Sequence, residues 1–157
     1  PILVTGASGM LGRDVVAQLL GNGQKVITSD RVLSDGAEVA LDITDKKLLS
    51  EFIEATKVKT IINCAAFTNV DGAESEQAQA FLVNSAAVGN IALAAATTNA
   101  QVLHISTDYV FGVASVRDNP IKEDEPCNPQ SIYGLSKYYG ELLLREILPE
   151  GSLIVRT

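Results

Sequence analysis

Short apolar runs rich in strand formers alternate along this chain with longer segments whose apolar residues return every three or four positions. The first run, Ile2-Leu3-Val4-Thr5, predicts a strand. Met10, Leu11, Val15, Val16, Leu19 and Leu20 then follow helical spacing until Gly21-Asn22-Gly23 stops the helix. Residues 25–29 predict a second strand and 39–43 a short extended run. Thr44 offers an N-cap for a helix whose apolar face is Leu48, Leu49, Phe52 and Ile53, ending near Lys57. Residues 60–66 predict another strand, 67–76 a polar loop, and 77–97 a long alanine-rich helix with Phe81, Leu82, Val88, Ile91 and Ala95 at core spacing. Residues 101–107 read as a further strand. A long irregular loop with Pro120, Pro126 and Pro129 follows over 108–129, and loops of that kind are often binding or lid segments. A helix over 131–147, broken at Pro149-Glu150-Gly151, and a strand from Ser152 complete the pattern. Strands alternating with helices imply a parallel α/β sheet with right-handed crossovers.

The loop between the first strand and helix reads Gly6-Ala7-Ser8-Gly9-Met10-Leu11-Gly12, a Gly-x-x-Gly-x-x-Gly motif. There glycines let the backbone approach a pyrophosphate, and the helix N-terminus offers N–H groups and the positive end of its dipole. A strand–loop–helix context makes dinucleotide binding the favoured reading over a merely tight turn, and the fold class a Rossmann-type doubly wound parallel sheet flanked by helices. Asp30, ending the second strand, is placed to hold the adenosine ribose hydroxyls of NAD, whereas Arg31 is placed to receive the extra phosphate of NADP, so both NADH and NADPH remain open. Asp42 and Ile43, after the short extended run, are candidates for contact with the adenine. Small residues at Ala65 and Ala66 would let a ligand lie across the carboxyl end of their strand.

On the last helix, Tyr133 and Lys137 stand four residues apart, with β-carbons about 5–6 Å from each other on one face. A nearby ammonium is expected to favour the phenolate and bring the phenol, ordinarily near pH ~10, closer to neutrality. Ser106 and Thr107 arrive at the same sheet edge, and Thr107 and Tyr133 could together hydrogen-bond a substrate carbonyl. Tyr133 would then donate a proton as hydride arrives, while Lys137 would tune the phenol and reach the nicotinamide ribose. His104, the only histidine, reads as a satisfied core residue, and Asn84 as a partner for local polar groups.

At 157 residues the chain has the size of one domain, so residues 1–157 are expected to form a single NAD(P)-binding unit. Twelve basic residues against nineteen acidic ones, a net charge of −7, and no Lys/Arg cluster argue against a nucleic-acid partner. No apolar run approaches the ~20 residues of a membrane span, and Pro1-Ile2-Leu3-Val4 reads as a strand in progress rather than a signal peptide. Cys64 and Cys127 suggest neither a disulfide framework nor a metal site, and a reducing cytoplasm is the expected setting.

The blocks Val4 to Gly12, Asn63-Cys64-Ala65-Ala66-Phe67-Thr68-Asn69-Val70-Asp71, Ser106-Thr107-Asp108-Tyr109-Val110-Phe111 and Tyr133-Gly134-Leu135-Ser136-Lys137 together resemble an extended short-chain dehydrogenase/reductase. Within that superfamily the chain is similar to the dTDP-4-dehydrorhamnose reductases, on the strength of the second and third blocks. The resemblance implies NAD(P)H-dependent reduction of a 4-keto nucleotide sugar to dTDP-L-rhamnose, with Thr107, Tyr133 and Lys137 as the catalytic trio. It implies cofactor contacts from Gly6, Ser8, Gly9, Met10, Leu11 and Gly12, from Asp42 and Ile43 beside the adenine, and from Cys64, Ala65, Ala66 and Thr68. A nucleotide sugar is the implied partner, and a homodimer an assembly to test. Two departures stand out. Relatives usually read Phe-Asp-Gly where this chain has Phe111-Gly112-Val113, implying a different substrate-side loop, and they carry a further C-terminal region that binds the nucleotide sugar. Either these residues are part of a longer protein that carries that region, or the molecule binds the cofactor without a complete substrate pocket. The alternatives are a non-catalytic nucleotide-binding subunit of the methionine adenosyltransferase type, and a nucleotide-sugar epimerase or dehydratase.

Overall fold

A computed structural model describes residues 1–112 and 120–157. Its centre is a six-stranded sheet built from β1 (Ile2–Thr5), β2 (Val26–Asp30), β3 (Val39–Ala40), β4 (Thr60–Asn63), β5 (Gln101–Ser106) and β6 (Ser152–Arg156). Every pairing is parallel, and the order β3-β2-β1-β4-β5-β6 is that of a doubly wound Rossmann sheet. The order reverses between β1 and β4, which opens a crevice outside their carboxyl ends.

The sheet is apolar on both faces because helices cover both. Helix α1 (Met10–Gly21) brings Val15, Val16 and Leu19 against Val4, Ala7 and Ile62. On the other face, α2 (Lys46–Thr56), α5 (Ala87–Thr98) and α6 (Ile132–Ile147) press Leu49, Ile53, Val88, Ile91 and Leu144 onto Leu3, Ile61 and Val102. Ile61 and Ile91 are fully buried, and each such side chain contributes about 1.5–3 kcal/mol through burial.

Four local features differ from the sequence expectations. Asp45, not Thr44, caps α2, accepting from the Leu48 N–H at 3.0 Å. The Thr44 hydroxyl is already committed to Asp42 Oδ1 at 2.7 Å. The polar stretch after β4 contains the short helix α3 (Val70–Ser75), capped by Asn69 Oδ1, which accepts from the Gly72 N–H at 2.9 Å. Met10, Leu11, Leu20 and Leu48 keep helical spacing but are exposed. The long helix is continuous from Gln77 to Thr98 but is divided into α4 (Gln77–Phe81), a π turn (Leu82–Ala86) and α5. The π turn turns Asn84 inward, where its Oδ1 accepts from the Phe67 N–H at 2.9 Å and its Nδ2 donates to Phe67 O and Ser136 Oγ, both at 3.0 Å. By length and composition alone this 22-residue helix could cross a membrane, with a mean hydropathy of 1.5 in its most apolar window, contrary to the expectation that nothing here approaches a span. Its apolarity has another source: α5 is wedged between α2, α6 and the sheet, so most of its circumference is core.

The loop anticipated over 108–129 opens with a 3₁₀ turn, Asp108–Phe111. Residues 113–119 lie outside the described residues, and with them Val113 of the departure at Phe111-Gly112-Val113.

Candidate active site

The carboxyl edge of the sheet is where the chemistry gathers. β1 delivers the glycine loop, whose two tightest points are Gly6 and Gly12. Gly6 has φ +67°, and a β-carbon there would lie 2.6 Å from the Ala65 nitrogen; one on Gly12 would lie 2.1 Å from the Gly6 carbonyl oxygen. The loop is thus folded back on the start of α1 and pressed against the backbone that follows β4. Gly9 caps α1 without any side chain accepting from its first turn, and no acidic residue lies in that turn. Gly9, Met10 and Leu11 are exposed and Ser8 half-buried, so the helix N-terminus faces outward with its N–H groups suited to an anionic group.

Asp30 stands at the end of β2 and is oriented by that loop. Its Oδ2 accepts from the Ser8 N–H at 3.3 Å and from the Ser8 hydroxyl, and its Oδ1 accepts from the Arg31 N–H at 2.7 Å. Arg31 is exposed. Asp42 follows β3 on the same edge, its Oδ1 taken by the Thr44 N–H and hydroxyl. Ile43 is 5% exposed and belongs to the core. Cys64, Ala65 and Ala66 are half-buried beyond β4, and Thr68 is exposed.

Across the crevice, register places Thr5, Asn63 and His104 side by side on one face of three adjacent strands. The Thr5 hydroxyl donates to Asn63 Oδ1 at 2.7 Å, and Asn63 Nδ2 donates to His104 Nδ1 at 2.9 Å. His104 is fully buried, and burial, reinforced by the Lys137 charge, holds its pKa well below the usual 6.5. It is therefore a neutral core residue, although only one of its nitrogens is satisfied: Nε2 has no partner among the described residues.

Helix α6 begins with Ser131 as its cap, its hydroxyl oxygen accepting from the Gly134 N–H at 3.0 Å, and this places Tyr133 in the first turn beside the end of β5. The Tyr133 phenol stands close enough to the Thr107 side chain for that hydroxyl to favour its ionised form, and its ring meets Tyr109 edge-on with centroids 5.6 Å apart. One turn on, Lys137 is 2% exposed and its ammonium donates to the Ile105 carbonyl at 2.6 Å. Burial lowers the lysine to about 8, against the opposing pull of Glu141 and Cys64. Cys64, on the facing strand end, is raised to about 11 by burial despite Lys137.

The pair does not act as the sequence suggested. Burial raises Tyr133 above its ordinary value of 10, with Tyr109 and Asp108 adding to the rise; the nearby Thr107 side chain opposes it. Lys137 is not among the groups that shift it, because its ammonium is turned back to the Ile105 carbonyl of β5. At neutral pH the phenol keeps its proton.

The whole chain, residues 1–157, matches a family model described as RmlD substrate binding domain. The chain belongs to this RmlD family. Its similarity to a Streptomyces griseus dTDP-4-dehydrorhamnose reductase is 41% identity over 155 residues, covering 99% of the chain and 48% of that relative. Among solved structures, a Clostridium acetobutylicum dTDP-4-dehydrorhamnose reductase superposes with a TM-score of 0.87 at 40% identity, covering 99% of this chain and 52% of that one. A Bacillus anthracis dTDP-4-dehydrorhamnose reductase solved in complex with NADP gives 0.88 at 34% identity, again covering 99% and 52%. This RmlD-family chain thus spans about half the length of the curated relatives it matches.

Two buried charges of the RmlD-family chain escaped the sequence reading. Glu141 is fully buried one turn beyond Lys137, and Arg156 ends β6 with its side chain 11% exposed. The signal that could have found Glu141 is its i+4 spacing from Lys137, which continues the stripe begun by Tyr133.

Proposed function

We propose that the protein is an NAD(P)H-dependent reductase that converts the 4-keto group of dTDP-4-dehydro-L-rhamnose to the alcohol of dTDP-L-rhamnose. Residues 1–157 would be its dinucleotide-binding domain. The observation that carries the reading is a protonated phenol beside Thr107, at the same sheet edge as a glycine-lined helix N-terminus that no side chain caps. The S. griseus relative at 41% identity supports the choice of substrate. The groups present suit a nicotinamide dinucleotide: backbone N–H donors for its pyrophosphate and a carboxylate at Asp30 for its ribose. That cofactor would supply the hydride.

In this reading the Thr107 hydroxyl and the Tyr133 phenol hold the sugar carbonyl oxygen between them. As negative charge develops on that oxygen, the Tyr133 proton moves to it; a phenol kept protonated by burial suits a general acid in the reducing direction. The buried Lys137 ammonium, close to Cys64, would hold positive charge beneath the site.

The direct test incubates the full-length protein with the 4-keto nucleotide sugar and NADH or NADPH, following loss of reduced-nicotinamide absorbance and a new C4 hydroxyl by NMR. Absence of both in folded protein refutes the proposal. A pH series sharpens it. Lys137 carries its charge below about 8 and loses it above, so activity should fall on the alkaline side of pH 8. Tyr133, raised above its ordinary 10, contributes nothing to that limb. A profile flat to pH 10 would show that the lysine charge is not needed.

Cofactor choice is expected to follow Asp30. Its carboxylate is fixed by Ser8 and would repel the extra phosphate of NADPH. Asp30→Ala should therefore raise the NADPH-to-NADH ratio of kcat/KM by about tenfold, a change of roughly 1.4 kcal/mol. An unchanged ratio would place the discrimination elsewhere.

A further inference from the structure

Three side chains spaced one turn apart on α6 face three consecutive residues at the end of β5, and two of them grip it. Tyr133 lies by the Thr107 side chain, Lys137 donates to the Ile105 carbonyl at 2.6 Å, and Glu141 Oε1 accepts from the Ser106 hydroxyl at 2.6 Å. The Glu141 grip is anchored from β6, where Arg156 is directly opposite Ser106 in register. Arg156 Nε donates to Glu141 Oε1 at 2.9 Å and its Nη2 to Oε2 at 2.6 Å, a two-pronged charged pair of the strong kind. Arg145 adds a longer bond to Oε2 at 3.3 Å. Arg156 also covers the Phe111 ring at 4.6 Å and reaches the Glu123 carbonyl and the Cys127 sulfur, so one guanidinium ties together helix, strand, 3₁₀ turn and loop.

We propose that Glu141 and Arg156 are positioning residues for the reductase site, their ion pair fixing the end of β5, and hence Thr107 and Lys137, against the Tyr133 phenol. The proposal rests on the reductase reading. A loose end of β5 would let Thr107 and the Ile105 carbonyl drift from the two α6 side chains that use them. The pair also acts through charge. The charged or titratable groups facing Lys137 are Cys64 just after β4, His104 from β5 and Glu141 from its own helix, and among them Glu141 is the carboxylate that favours the ammonium. Glu141 is faced in turn by Arg156 from β6 and Arg145 from α6, with Tyr138 near Arg156.

The test is Glu141→Gln in the full-length protein, with Glu141→Asp as the conservative rescue. Glu141→Gln should lower kcat by about 10²-fold while leaving the dissociation constant for NADH within roughly twofold. Its alkaline limb should move to lower pH, because the ammonium loses its favouring carboxylate, and Glu141→Asp should restore the limb toward that of the parent. The neutral pair Glu141→Gln with Arg156→Gln, which leaves no unpartnered buried charge, should show the same displaced limb if the single variant does not fold. NMR titration of the Lys137 side chain in the same proteins needs no turnover: its midpoint should fall below the parent value of about 8 in both Gln variants. Loss of activity in step with loss of folded protein, with limb and midpoint unmoved, overturns the proposal. A parent protein without turnover counts against the reductase reading alone, and the NMR midpoint then decides the role of Glu141.

Discussion

Replacing Tyr133 by phenylalanine should lower kcat by roughly 10²- to 10⁴-fold, the scale of a lost general acid, with cofactor affinity little changed. The substitution is clean because of where the ring sits. Tyr133 is half-buried, and its edge-on packing against Tyr109 at 5.6 Å requires only the ring, which phenylalanine keeps. What is lost is the hydroxyl beside Thr107, at a stability cost of about 1 kcal/mol or less. The expected signature is therefore a fall in kcat with the melting temperature nearly preserved and the NADH dissociation constant intact. Steady-state kinetics and a fluorescence titration of NADH check it together. Turnover within a factor of a few of the parent would remove Tyr133 from the chemistry. An equal loss in NADH affinity would recast the residue as a binding group.

That prediction survives although the reason first offered for it does not. Spacing put Tyr133 and Lys137 on one face of a helix, and they are there; it could not say where a flexible four-carbon stem would turn its ammonium. The answer depends on the Ile105 carbonyl, an acceptor that exists only once β5 packs against α6. Much of the framework was legible because it repeats a local rule. β1, β2, β4 and β5 are apolar runs buried on both faces, and α1, α2 and α6 show helical periodicity, so alternation alone implied a parallel sheet. The two-residue β3 falls within the extended run read over 39–43, but the six-residue α3 carries too few positions for any period and depends on one Asn69 cap. The π turn is equally invisible locally: Asn84 turns inward for the Phe67 backbone and Ser136, residues 17 and 52 positions away. The pairing of Glu141 with Arg156 emerges only once β6 lies beside β5, because an ion pair across 15 positions follows no periodic signal. Sequence thus reported which residues share an element, whereas partner direction and protonation were decided between elements.

The glycine loop admits the second severe test. Gly12→Ala should weaken NADH binding by tenfold or more and lower the melting temperature, whereas Gly21→Ala in the same helix should do neither. The contrast is geometric. An alanine β-carbon at Gly12 would lie 2.1 Å from the Gly6 carbonyl oxygen and 2.9 Å from the Ala7 α-carbon, all backbone atoms with no rotamer to yield. The Gly6 carbonyl cannot retreat freely, since it accepts from the Gly9 N–H at 3.1 Å and closes the turn that presents the helix N-terminus. Relief would require the whole turn to open, at a cost of about 1–3 kcal/mol or more, and would misdirect the N–H groups proposed for the pyrophosphate. At Gly21 nothing lies within 4 Å of the added methyl, and the residue closes an exposed helical turn. There alanine should raise stability by about 0.5–1 kcal/mol through its better helix propensity. Thermal denaturation and NADH titration of the two variants side by side separate a specific steric requirement from a general dislike of substitution in α1. Equal behaviour of the two would mean that the loop tolerates expansion and that dinucleotide binding does not depend on its tight closure.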